Sequence, residues 1–181
     1  MARLPPITSK EQIAAQDHAA FDSIVASRGS VHAPFTMFMH SPDIAARIAH
    51  VGAFVRFEGS LAMRVRVLAA MTVGREYEAL YIWGAQTSAA RRMGVPEATI
   101  TAIRDNHLRE VPPEDAQIIE FTRALLRRHH IDDGMAEAVR ARFGNDEYIQ
   151  LTGSIGYYAM LSMTMNACEL EAPDGAEVLQ V

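Results

Sequence analysis

The chain has 181 residues, enough for one domain with a sizeable core, and its 49% apolar and 22% charged content is that of an ordinary globular protein. A formal net charge of −5 gives no electrostatic reason to bind nucleic acid or an anionic membrane surface. No apolar run approaches the ~18 residues of a membrane span, and the single cysteine, Cys168, excludes an internal disulfide and fits a reducing cytoplasm.

Residues 1–8 read as an extended lead, kept out of helix by Pro5 and Pro6 and lacking the apolar core of a secretory signal. Ser9 and Gln12 form a capping-box pair, which predicts a helix to about Ser27 with Ile13, Phe21, Ile24 and Val25 inward. Arg28-Gly29-Ser30 ends it, and residues 31–38 read as a loop with a short apolar turn. Ser41 as N-cap and Pro42 at the first helical position open the next helix, with Ile44, Ile48, Val51 and Val55 as its buried stripe.

Glu58-Gly59-Ser60 leads into the longest apolar, proline-free stretch, residues 61–94. Leu61, Val65, Leu68, Ala69 and Thr72 share one helical face. The pattern breaks at Gly74 and resumes with Ala79, Ile82, Trp83, Gln86 and Ala90 on one face of a second helix. That spacing carries the polar Gln86 deep into a core. Gly94 stops the helix, with Arg91 and Arg92 in the last turn, where the dipole favours cations. Val95-Pro96-Glu97 starts a helix that closes near Asn106. Pro112-Pro113-Glu114-Asp115 opens a longer one carrying Ile118, Ile119, Phe121, Leu125 and Leu126 to about His130. Asp132 caps a short helix ending at Phe143-Gly144. The last helix runs from about Glu147 to Ala167 and is apolar on almost every side, which predicts burial within the chain or against another subunit. Residues 171–181 are a tail. With no alternating strand pattern and no repeat, the expectation is an all-α, single-domain bundle over residues 1–181, built around the central helix-turn-helix.

The central stretch resembles the carboxymuconolactone decarboxylase and alkylhydroperoxidase-D superfamily. Decarboxylase-type members read Arg-Glu-Leu, then about a dozen residues, then Tyr-Glu-Trp-x-x-His-x-x-x-Ala-x-x-x-Gly. Here the same places hold Arg66-Val67-Leu68, then Tyr81, Ile82, Trp83, Gln86, Ala90 and Gly94. The spacing matches without a gap, but Val67 and Ile82 stand for the family's two glutamates and Gln86 for its histidine. The peroxidase branch has Cys-x-x-Cys where this chain has Ala79 and Ile82, so thiol peroxidase chemistry is not expected. His40-Ser41-Pro42 and Gly156-Tyr157-Tyr158 extend the likeness over about residues 34–170. The resemblance implies a cofactor-free homo-oligomer, trimer or hexamer, acting on small carboxylated lactones of aromatic catabolism.

On that resemblance, His40, Gln86 and Tyr81 are the candidate catalytic residues, and Arg66, Trp83, Tyr157, Ile82 and Val67 line the substrate site. His40 has an imidazole suited to proton transfer near neutrality, or shapes the loop before Ser41. Gln86 can orient a carbonyl or carboxylate but cannot act as a general acid or base; it fits equally as a satisfied core amide. Arg66 fits a carboxylate fork or an ion pair within the bundle. Glu78, one turn before Ile82, is either a displaced carboxylate or, like Glu76, part of a charged helix end. Cys168 reads as an inert thiol. No His/Asp/Glu trio has metal-ligand spacing, and no phosphate-binding glycine loop is present. Three readings stand: a decarboxylase-type lyase or isomerase, a divergent member with a new biosynthetic reaction, and a non-catalytic small-molecule-binding protein.

Overall fold

Every regular element of the computed structural model, which describes residues 2–180, is helical; Met1 and Val181, the outer ends of the predicted lead and tail, lie outside the described residues. The chain divides into two compact units, Met1–Gly59 with Thr164–Leu170, and Ser60–Met163 with Glu171–Val181.

In the first unit the predicted opening helix is broken. The Gln12 side-chain oxygen accepts the N–H groups of Thr8 and Ser9 at 2.8 and 2.9 Å, but this closes only a 3-10 turn over Lys10–Gln12. β-Branched Ile13 then turns extended, at φ −125° and ψ 165°. A second 3-10 turn, Ala15–Asp17, precedes α1 (His18–Arg28). Phe21 and Ile24 are buried, and Gly29 stops the helix at φ +80°. The short α2 (Phe35–Phe38) is buried throughout.

Ser41 and Pro42 open α3 (Pro42–Ala53) as expected, but the buried stripe is rotated. Ala45, Ile48, Ala49 and Gly52 face inward, whereas Ile44 and Val51 are 52% and 50% exposed. The reason is the contact with α1: small residues allow the two helices to approach, and Arg28 Nη2 donates to the Ala49 carbonyl at 2.7 Å. A π-turn, Phe54–Glu58, follows; it buries Val55 and turns Phe54 and Phe57 outward. The unit is closed by residues 164–170, where Arg3 N–H donates to the Cys168 carbonyl at 2.9 Å and Arg3 Nη1 to Ala167 at 3.1 Å.

The second unit is organised around α4 (Met63–Glu76) and α5 (Leu80–Arg92), joined by a three-residue turn. Leu61, Val65, Leu68, Ala69 and Thr72 are buried as the periodicity requires. Gly74 is not a break. α4 runs through it, and a Cβ there would lie 2.9 Å from Ile82 Cγ2 and 3.0 Å from the Trp83 backbone nitrogen. The glycine is what lets α5 lie against α4. Gly94, at φ +70°, ends α5: its N–H bonds the Arg91 carbonyl at 3.0 Å, the Val95 N–H bonds Ala90 at 3.0 Å, and Val95 is buried.

α6 (Glu97–Arg104) packs on both α4 and α5, and α7 (Pro113–Arg123) on α4. Arg64 on α4 holds the buried Asp115 of α7 with two bonds, Nε at 3.1 Å and Nη2 at 2.5 Å. α7 continues into a π-turn, Ala124–Arg128, which stops at His129, φ +58°. α8 (Asp133–Ala167) is two helices end to end, separated at Gly144 by φ 71° and ψ 175°. Asp132 caps the first, its Oδ1 accepting the Met135 N–H at 2.8 Å. The second is not buried all round: Leu151, Ile155, Tyr158 and Leu161 face in, while Ile149, Gly153, Gly156 and Met163 face out. Among the described residues no helix is long and apolar enough to cross a membrane.

Candidate functional site

The α4–α5 pair brings together part of the predicted constellation. Ala79, Ile82, Trp83 and Ala90 are buried on α5, and Val67 is buried on α4. Gln86, one turn beyond Trp83, is half-buried rather than deep in the core, and Tyr81 and Arg66 are half-buried too. Arg66 and Tyr81 both have interactions of their own. Tyr157 is buried on α8, its ring packed edge-on to Tyr158 with centroids 5.3 Å apart.

Trp83 is the unusual member. Its side chain is fully enclosed, and its indole Nε1 finds no hydrogen-bond acceptor among the described residues. A buried, unsatisfied N–H costs about 1–3 kcal/mol. A donor of fixed direction is therefore enclosed in the core, with the half-buried Gln86 one helical turn further along α5.

His40 belongs to the other unit, on an exposed loop, with its Nε2–H donating to the Pro5 carbonyl at 2.8 Å. Its imidazole is thus engaged with the backbone of the amino-terminal lead. His32 is likewise exposed and bonded to Ser30. Glu78 is exposed at φ +50° and lies 3.8 Å from Arg75, an ion pair on the helix turn. Among the described residues no group of three His, Cys, Asp or Glu side chains has the geometry to hold a metal ion.

The strongest polar cluster escaped the sequence reading. Glu76, with its side chain only 10% exposed, accepts from Arg123 Nε at 3.1 Å and from Arg127 Nε and Nη2 at 2.5 and 2.6 Å. Arg127 also donates to Asn106 at 2.6 Å, and Arg123 to the Ile103 carbonyl at 3.1 Å. Burial pulls the Arg123 guanidinium below its ordinary value, while the bond to Glu76 raises that of Arg127. The signal available in the sequence was the i, i+4 spacing of the two arginines. A cleft of about 480 Å³ opens beside them, lined also by Leu108, Glu120, Arg128 and Met135. Glu120 and the Arg128–Asp132 pair offset the cluster's excess charge, so the cleft has no strong pull on an anion. The cluster braces the end of α4 against α7.

Two further open clefts, of about 360 and 610 Å³, are lined by residues of α8 and by the segment around Glu177. None of these three clefts is lined by Trp83, Gln86, Tyr81 or Arg66. No protein-family model matches the chain, and no curated protein matches it.

Proposed function

We propose that the chain is a carboxymuconolactone decarboxylase-like protein, a cofactor-free lyase or isomerase acting on a small carboxylated lactone or aromatic-derived compound. The observation that carries this reading is the buried indole N–H of Trp83 without an acceptor, one helical turn from the Gln86 amide. For a substrate carbonyl or carboxylate to accept from Trp83 Nε1 as well as from the half-buried Gln86 amide, the packing that encloses Trp83 must open; Val67 and Ile82 then supply apolar walls. When the carboxyl group leaves as CO2, the electrons of the breaking C–C bond pass to the carbonyl oxygen, where both donors stabilise the charge. A proton then returns to carbon from the Tyr81 hydroxyl or from water. Gln86 cannot exchange protons near neutral pH, so the rate comes from positioning and electrostatics. His40 takes no part in this scheme.

A non-catalytic small-molecule-binding protein is the second reading. It is favoured by the absence of a titratable side chain at Val67, Ile82 and Gln86. In either case we take the protein to be a cytoplasmic homo-oligomer, trimer or hexamer, a view supported by the large apolar side chains of Ile44, Val51, Phe54 and Phe57 at the surface.

Trp83 is the sole tryptophan, so its fluorescence reports on this site alone. Titration with carboxylated γ-lactones should shift its emission saturably, Gln86→Ala should weaken binding about tenfold or more, and turnover should release CO2. Saturable binding without product selects the binding-protein reading. No emission change with any such ligand, and none caused by Gln86→Ala, removes both readings.

A further inference from the structure

Residues 171–180 carry no helix, yet they are held against α5 and α6. Three features hold them. Gly84 on α5 is a cradle: a Cβ there would lie 2.8 Å from Ala176 Cβ, 3.2 Å from Pro173 Cδ and 3.3 Å from the Glu177 carbonyl oxygen. Leu179 is buried, while its neighbour Val178 is exposed. The Glu177 carboxylate spans two helices, accepting from Arg91 Nη2 on α5 at 2.5 Å and from Arg104 Nη1 on α6 at 3.4 Å.

Both arginines have a second carboxylate. Arg91 holds Glu97 at 2.6 and 2.9 Å, and Arg104 holds Asp105 at 2.9 Å. Glu97, and after it Glu177, raises the Arg91 guanidinium above its ordinary value. Withdrawal of Glu177 therefore strands neither guanidinium. The Arg64–Asp115 pair differs, because Asp115 is buried between α4 and α7 and has nowhere to go. An open cleft of about 610 Å³, lined by Arg75, Arg104, Asp105, Glu177, Val178 and Gln180, admits water and salt to the Arg104–Glu177 pair, and the Arg91 side chain is 40% exposed.

We infer that residues 171–180 are a reversible strap, latched by Glu177 to Arg91 and Arg104, whose release uncovers the Gly84 face of α5 while the helices stay folded. This inference does not rest on the proposed activity. Its components are few: one apolar anchor, a glycine cradle and two partly exposed ion pairs, the low-stability end of a fold. Salt loosens such a latch, since the screening length falls to about 3 Å at 1 M.

Amide hydrogen exchange on the full chain, resolved at Ala176 by NMR, tests it, because the Ala176 N–H donates to the Pro173 carbonyl at 3.0 Å. In low salt this amide should be protected. In 1 M NaCl, and in Glu177→Gln, it should exchange roughly tenfold faster, the effect of losing two partly exposed ion pairs, while the amides of α4 and α5 keep their rates. Gly84→Ala is the independent variant. Alanine is the better helix former, so α5 is not weakened, but the added methyl pushes Ala176 and Pro173 away and should deprotect the same amide. The inference is overturned if Ala176 exchanges alike in all four samples. It is equally overturned if it loses protection only together with α5.

Discussion

Gly74 and Gly84 show how a missing Cβ serves two different contacts on neighbouring helices. At Gly74 the close neighbours are an isoleucine side chain and the Trp83 backbone nitrogen, and the backbone cannot retreat. Gly74→Ala is expected to destabilise the protein by about 1–3 kcal/mol despite the gain in helix propensity, measured by denaturant unfolding. A neutral or stabilising effect would mean that α4 and α5 do not meet at this residue. Asp115 offers a second residue-scale test. Asp115→Asn removes a buried charge from the Arg64 fork, and because the Arg64 side chain is 38% exposed, water recovers part of the loss. About 1–3 kcal/mol is expected, less than a fully buried pair would lose; an unchanged denaturation midpoint would show that the fork holds nothing.

At the scale of elements, α8 depends on two local devices. Gly144 occupies φ 71° and ψ 175°, a region essentially closed to residues with a Cβ, so Gly144→Ala should cost about 1–3 kcal/mol and lower the melting temperature. Asp132 caps the first half. The Met135 N–H, first among its causes, holds the Asp132 carboxyl below the usual range. A lowered folded value means that the cap's stabilisation is present above the ordinary carboxylate pKa of about 4 and is lost as pH falls through the folded value. Amides of residues 135–137 should lose exchange protection there before the rest of the helix does; uniform loss along α8 would exclude the cap as the cause.

These devices were legible in the sequence because caps and left-handed glycines act within a few residues, as Gly29, Gly94, Asp132 and Gly144 all show. On α4 periodicity found Val65, Leu68, Ala69 and Thr72, but the helix also buries Val67, Ala70, Met71, Val73 and Gly74, because it is packed on more than one side. Periodicity failed on α3. There two apolar stripes compete, and the approach to α1 selects Ala45, Ala49 and Gly52 over the larger Ile44 and Val51. Gly74 reads as a break in sequence and is a contact in space. For the candidate site, the sequence placed Trp83 and Ile82 inward, but it could not reveal that the indole N–H lacks an acceptor, nor that Glu76 gathers two arginines from another helix.

For the molecule as a whole, the outward residues of α3 separate folding from association. Val51→Glu should leave unfolding free energy within about 0.5 kcal/mol, because the side chain is already half exposed. If the protein self-associates through this face, the same change should lower the sedimentation coefficient; a large loss of stability would instead mean that Val51 is core. The first unit has another property of whole-chain reach. Its closing residues, Thr164–Leu170, follow all of Ser60–Met163 in the sequence, and they carry the Cys168 and Ala167 carbonyls that receive Arg3. During synthesis at ~5–20 residues per second, the first helices emerge many seconds before the segment that closes them. The bonds of Arg3 to the Ala167 and Cys168 carbonyls are therefore among the last to form, so the amino-terminal lead must stay undocked until synthesis is nearly complete.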